Sequence, residues 1–200
     1  MDETLHARHD FNDFMCVLKY FHEKFGVRYL AQTRADAIVM NPDSLHEMKA
    51  AGIYSLIIGA ESASDSVLAE MNKMTLYENV PRALEIIKDK GIETVTTWLI
   101  GHPGSSYSEE MKTKEALEYL LAAGLTDHAE VYTFVPYPGT ISSLDTRLHI
   151  TETDFSEFGR MNKPVYDLDG FPRDEIECAY QELLAVIEMH GKRNAEVLII

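Results

Sequence analysis

Apolar residues recur along the chain in two alternating rhythms, and the alternation predicts the fold class. Phe11, Phe14, Met15, Leu18, Phe21 and Phe25 stand at three- and four-residue spacing, which marks one face of a helix. Gly26 follows, and the branched and aromatic run VRYLAQTR then reads as a strand. The same order returns three more times: PDSLHEMKAAG into IYSLIIGAES, TLYENVPRALEIIKDKG into IETVTTWLIG, and SYSEEMKTKEALEYLLAAG into HAEVYTFVPYPGT. Capping boxes are expected at Thr75 with Glu78 and at Ser106 with Glu109. Gly26, Gly52, Gly91 and Gly124 stand where each helix ends. Helix, glycine, strand, four times over, predicts βα units with parallel strands, and right-handed crossovers wind such units into an open sheet or a barrel. No glycine-rich phosphate fingerprint follows a strand, which favours part of a barrel over a Rossmann sheet. The stretch from Leu144 to Pro172 is polar and weakly periodic and reads as an excursion; residues 173–190 read as a packing helix.

Composition narrows the partners. Lys and Arg total 18 against 33 Asp and Glu, a net charge of −15, so phosphates of nucleic acids and anionic membrane surfaces are repelled. Neither is an expected partner; a small-molecule substrate is. No apolar run approaches the ~20 residues that span a bilayer, and the acidic start MDETLHARHD is unlike a signal peptide. The only cysteines, Cys16 and Cys178, form neither a disulfide framework nor a C-x-x-C knuckle, so a reduced, cytoplasmic setting is expected.

Ligands of parallel βα architectures gather where strands end. Those ends are Asp2 to Thr4, then Gln32, Arg34 and Asp36, then Glu61 and Ser62, then GHPG at 101–104 and PYPGT at 136–140. Each has a plain alternative. Glu61 could favour the N-terminus of the helix that follows it. Yet the small Gly59 and Ala60 before it read as clearance for something lying against the backbone. Arg34 could pair with Asp36 or Glu61, and the two glycine-proline segments could be turns alone. His6 and His9 have metal-like spacing without a third ligand, and Trp98, Met71 and Met74 suit a core or a lid.

Taken together, the segments DET, AQTRAD, LHEMKAAGIYSLIIGAESASDSVLAEMNK, IIKDKGIETVTTWLIGHPGSSYSEEMKT and VYTFVPYPGT resemble the radical SAM superfamily, and within it the cobalamin-binding branch. The resemblance covers roughly residues 1–140. It implies an α/β fold, parallel βα repeats forming strands 2 to 6 of a (βα)6 partial TIM-type barrel, with residues 141–200 a helical C-terminal extension. The cofactors it implies are S-adenosylmethionine, a 4Fe-4S cluster on a CxxxCxxC loop, and cobalamin. By the same resemblance Asp2 and Glu3 receive the methionine amino group, and Arg34 faces the methionine carboxylate or the substrate. Glu61 and Ser62 contact the ribose and methionine part, Leu99, Ile100 and Gly101 hold the adenine, and Val135 and Pro136 pack near it. His102 departs from the apolar residue expected between the glycine and proline of its turn, and no catalytic residue is assigned.

The chain carries no CxxxCxxC motif, so the resemblance implies that it begins at the end of the second strand. The expectation is a fragment or half of a radical SAM enzyme that methylates or rearranges carbon centres, inactive alone, with another chain supplying the missing N-terminal half. An exposed first strand edge then predicts self-association. The alternatives are a cluster-free βα module that binds a nucleoside-like ligand, a partner subunit, or an ordinary barrel hydrolase or lyase.

Overall fold

The computed structural model describes residue 5 and residues 10–159 and 162–191. Helix α1 (Phe11–Phe25) leads into β1 (Tyr29–Thr33), and two short helices, α2 (Ala35–Met40) and α3 (Ser44–Ala50), lead into β2 (Ile53–Glu61). Helices α4 (Asp65–Glu70) and α5 (Asn79–Asp89) precede β3 (Glu93–Ile100), and α6 (Tyr107–Ala122) precedes β4 (His128–Thr133). The four strands form one parallel sheet in the order β1-β2-β3-β4. The predicted parallel α/β architecture is thus present, with every crossover stepping the same way. The further strand expected at Asp2 to Thr4 lies outside the described residues.

Crossovers of one hand and one direction put all the helices on one face. Leu56, Ile58 and Ala60 of β2, Trp98 and Ile100 of β3, and Ala129 and Val131 of β4 accordingly share a buried core with Leu84 and Ile87 of α5 and Leu117 and Leu120 of α6. Side chains alternate across a strand, so Ile57, Gly59, Thr97, Leu99 and Tyr132 lie on the helix-free face, where they stay partly exposed. Two faces with unequal cover explain why the strands read as nearly continuous apolar runs broken by small or polar residues.

The four separating glycines all have positive φ, from 60° to 88°. Gly52 shows a second reason for the choice: a Cβ there would lie 2.5 Å from Cγ of His22, whose Nδ1 bonds to the Val27 carbonyl at 2.7 Å.

The Thr75–Glu78 capping box does not form. Helix α5 starts at Asn79, no side chain caps it, and Thr75 receives only the Asn79 amide, at 3.3 Å. Distant partners hold this turn instead: Asp65 accepts the Tyr77 N–H at 2.8 Å, and the Tyr77 ring leans on Trp98 with centroids 6.5 Å apart. The Ser106 cap does form, accepting the Glu109 N–H at 3.4 Å, while the Glu109 carboxylate pairs with Lys112 at 2.9 Å.

The excursion is more ordered than its composition suggests. Two three-residue strands, β5 (Leu148–Ile150) and β6 (Tyr166–Leu168), pair antiparallel, and Tyr166 and Phe171 are fully buried. Helix α7 (Arg173–Met189) follows as expected and buries Ile176, Ala179, Leu183, Val186 and Ile187. It packs against α6 and β4, so the C-terminal extension is continuous with the main core.

Candidate functional site

The ends of β1 and β2 open into a cleft whose polar lining includes Gln32, Arg34, Asp36, Glu61, Lys73 and Thr75. At the end of β2 the pairing with β3 slips between Gly59 and Glu61, and Glu61 has φ of 61°. The Ser62 N–H closes a three-residue turn by donating to the Ala60 carbonyl at 2.7 Å. This is a γ-turn centred on a non-glycine residue, an uncommon and strained conformation. Its effect is to fold the Glu61 carboxylate back along the strand: a Cβ on Gly59 would lie 2.9 Å from Glu61 Oε1 and 3.9 Å from Thr97 Oγ1. Of the clearance expected at Gly59 and Ala60, the space at Gly59 is filled by the Glu61 side chain itself, and Ala60 is buried in the core on the other side of the strand.

Glu61 meets Lys73 at 2.7 Å in a partly buried ion pair. Lys73 sits between Asn72 and Met74, which both have positive φ, and its carbonyl accepts from Nη2 of Arg34 at 2.9 Å. The Arg34 guanidinium also forms a two-pronged pair with Asp36, Nε to Oδ1 at 2.9 Å and Nη2 to Oδ2 at 2.7 Å. That pair raises the pKa of Arg34 and lowers that of Asp36, in each case chiefly through the shared hydrogen bonds. Arg34 therefore ties down the loop that brings Lys73 to Glu61.

The expected neighbours of this cleft divide. The Ser62 side chain is buried and does not open into it: its hydroxyl accepts the Ser64 N–H at 3.1 Å and lies 3.3 Å from Thr113 Oγ1 on α6. Ser62 anchors the strand end. Asp2, Glu3, His6 and His9 lie outside the described residues. Trp98 is core, fully buried with its N–H on Thr96, whereas Met74 is 87% exposed.

A second group forms at the ends of β3 and β4. Leu99 lies half-exposed on the helix-free face, while Ile100 is buried among the helices. Gly101 follows with φ of 81°. Its N–H donates to Oε1 of Glu110 at 2.9 Å, and its carbonyl accepts the Tyr166 hydroxyl. Glu110 is 1% exposed; Oε1 also accepts the Ser105 hydroxyl at 2.7 Å, and Oε2 is buried without a hydrogen-bond partner. Burial pushes its pKa up to about 7 against the opposing pull of the Gly101 and Ser105 hydrogen bonds. The Phe134 N–H continues the ladder to the Ile100 carbonyl at 2.8 Å, which sets half-buried Val135 and buried Pro136 beside this edge.

His102 is half-buried, edge-on to Phe134 with centroids 5.3 Å apart. Its Nδ1 accepts the Gly104 N–H at 3.2 Å, so the neutral ring carries its proton on Nε2. Burial lowers its pKa, as does nearby Arg147, opposed by Glu70 and Asp145.

Lys73 and Glu110 were not among the residues expected at the site. Lys73 lies in a short polar loop with no motif, and a carboxylate in the first turn of α6 reads as a partner of the helix dipole.

The comparison with known proteins decides the family. The profile of the Radical SAM superfamily matches residues 12–117, which is 106 of 200 residues. The chain belongs to the radical SAM superfamily. A curated relative, the anaerobic magnesium-protoporphyrin IX monomethyl ester cyclase of Rubrivivax gelatinosus, is 27% identical over 154 residues, covering 76% of this chain and 26% of the cyclase. The cyclase of the same name from Synechocystis is 26% identical over 77 residues, covering 38% of this chain and 15% of that protein. The radical SAM chain thus spans about a quarter or less of these relatives. Among solved structures, the radical SAM coproporphyrinogen III oxidase HemN of Escherichia coli superposes with a TM-score of 0.61 at 16% identity, over 90% of this chain and 37% of its own. The radical S-adenosylmethionine methyltransferase TsrM of Kitasatospora setae, solved with cobalamin and a 4Fe-4S cluster, gives 0.53 at 12% identity, over 66% and 26%. At such identities these structures support the radical SAM fold.

Proposed function

We propose that this chain is the cofactor-positioning part of a radical SAM enzyme and holds S-adenosylmethionine across the ends of its parallel strands. The observation that carries the reading is the cleft at the ends of β1 and β2. Arg34, Glu61 and Lys73 meet there, and Arg34 Nη1 has no hydrogen bond to a described residue. A guanidinium edge and a carboxylate at one cleft complement the two charges of an amino-acid tail. In this reading Arg34 receives the methionine carboxylate, and Glu61 accepts from the ammonium or the ribose hydroxyls. Leu99 and the backbone at Gly101, with Val135 and Pro136, take the adenine, while the Ile100 side chain faces the core. Ser62 contributes by holding the strand end.

The residues do not fit the iron-sulfur cluster. Cys16 on α1 and Cys178 on α7 are both exposed, and among the described residues no three His, Cys, Asp or Glu side chains come together as metal ligands. No step through a cluster is assigned to them. We propose instead that the cluster is supplied by another segment or partner chain bearing CxxxCxxC. Its contact is placed at the β1 end of the sheet, where Leu30 and the α1 residues Phe21 and Phe25 are exposed. The support for cobalamin, and so for methylation or related carbon-centre chemistry, is the fold likeness to TsrM, and no residue is assigned to it.

The chain alone is expected to bind S-adenosylmethionine and leave it intact. Calorimetry should give saturable binding, and after anaerobic reconstitution with iron and sulfide 5′-deoxyadenosine should stay at blank level. Turnover to 5′-deoxyadenosine with a stoichiometric cluster would contradict the assignment.

A further inference from the structure

Gly101 is held on both of its peptide units by side chains that do not line the cleft. Glu110 reaches it from α6 and takes its N–H; Tyr166 reaches it from β6, in the C-terminal extension, and donates to its carbonyl. Both side chains are buried, and Tyr166 also packs edge-on against Phe134 with centroids 5.9 Å apart. The fit leaves no room for a side chain: a Cβ on residue 101 would lie 2.6 Å from the Tyr166 hydroxyl and 2.8 Å from Ile176 Cγ2 of α7. Ser105, four residues on, shares Oε1 of Glu110, so the start and end of the Gly101–Ser105 turn hang on one carboxylate oxygen.

We propose that Glu110 and Tyr166 are a positioning pair that sets the backbone on both sides of Gly101, through which the C-terminal extension fixes the strand edge that receives the ligand. The clause about the ligand rests on the function proposed above; the clamp itself does not. An elongated carboxylate in a buried site with no cation is a costly way to fill space. A carboxylate that accepts the N–H of the 100–101 peptide and the Ser105 hydroxyl, with a tyrosine that donates to the carbonyl of the 101–102 peptide, fixes the chain on both sides of the Gly101 Cα. The titratable groups acting on Glu110 are Glu109 on its own helix and Tyr166 from β6, and Glu109 repels its charge. Glu110 therefore holds its proton further up the pH scale in the folded chain than in the unfolded one. Stability falls as pH rises from about 4.5 toward about 7, because the unfolded chain releases that proton first.

The test is NMR on the full chain and two variants. In the wild type the Gly101 amide should exchange as slowly as the neighbouring amides of β3, and its proton shift should titrate with a midpoint near pH 7. Glu110→Gln keeps the acceptor and removes the charge, so the amide should stay protected and the titration should vanish. Tyr166→Phe removes only the hydroxyl that holds the Gly101 carbonyl, so the Gly101 carbonyl carbon should shift upfield and the loosened turn should let the Gly101 amide exchange faster, with Trp98 and Val131 unchanged. Rapid Gly101 exchange in the wild type, or the same titration in Glu110→Gln, overturns the clamp. Affinity for S-adenosylhomocysteine should weaken in Tyr166→Phe while the sheet amides stay protected. An unchanged affinity in that variant overturns the link to the ligand, and no binding by the wild type overturns the proposed function while the amide data still judge the clamp.

Discussion

Replacing Gly101 by alanine is expected to cost about 2–6 kcal/mol of folding stability, the sum of a non-glycine residue held at positive φ and an overpacked core. The backbone there has φ of 81°, and the new methyl would meet the Tyr166 hydroxyl and Ile176 at distances no Cβ tolerates. Relief requires β6 or α7 to move off the strand ends, and with it the contact between the extension and the sheet. Gly139 supplies the control, because its φ is 85° and nothing lies within 4 Å of a Cβ built on it. In urea denaturation Gly101→Ala should lose about 1–3 kcal/mol more than Gly139→Ala. Equal losses would mean that the extension does not pack on the turn as described.

Arg34→Ala is expected to weaken binding of S-adenosylhomocysteine about tenfold to a hundredfold, the worth of one or two charge-assisted hydrogen bonds. Two losses combine in it. The unengaged Nη1 is removed from the cleft, and the tether to the Lys73 carbonyl is cut, so the loop that delivers Lys73 to Glu61 is released. Arg34→Lys should recover only part of the affinity, because an ammonium cannot reproduce the planar fork that engages Asp36 and Lys73 together. The same pair has an acid signature. Asp36 is held below its ordinary 3.8 by Arg34, so its contribution is present above that pH and is lost as pH falls through the lowered value. The wild type should therefore lose stability below about pH 4 more steeply than Arg34→Ala. Calorimetry and acid titrations of the two proteins check both statements, and an unchanged affinity would remove Arg34 from the site.

Much of this architecture was legible because local signals and tertiary packing agree. The apolar run of β2 and the glycines after each helix encode the same parallel units that form, and the 3.6-residue rhythm of α1 marks its helix even though Phe21 and Phe25 of that face stay exposed. Errors arose where distant partners decide a local shape. Thr75 to Glu78 has the residues of a capping box, but Asp65 and Trp98, which the local sequence does not contain, hold Tyr77 and delay the helix. Strands β5 and β6 are three residues long, too short for alternation to show.

The candidate site was legible to the same degree. Glu61 was identified at its strand end because a carboxylate after Leu-Ile-Ile-Gly-Ala has no place in a core. The direction of its side chain was not, since the γ-turn that folds it over Gly59 and sends Ser62 to α6 depends on the β2–β3 slip. Glu110 was invisible for a related reason: a buried carboxylate and a solvated one look alike in the first turn of a helix until Gly101 and Tyr166 are seen around it.

The central claim is that the strand ends of this radical SAM chain bind the cofactor, and mapping S-adenosylhomocysteine onto the chain by amide shift changes tests it most directly. The account predicts saturable perturbations confined to Arg34, Gly59 to Glu61, Lys73, Leu99 to Gly101 and Val135, diminished in Arg34→Ala. Absence of binding, or perturbations centred elsewhere, such as the groove lined by Met15 and Cys16 of α1 and Glu47 of α3, would contradict it.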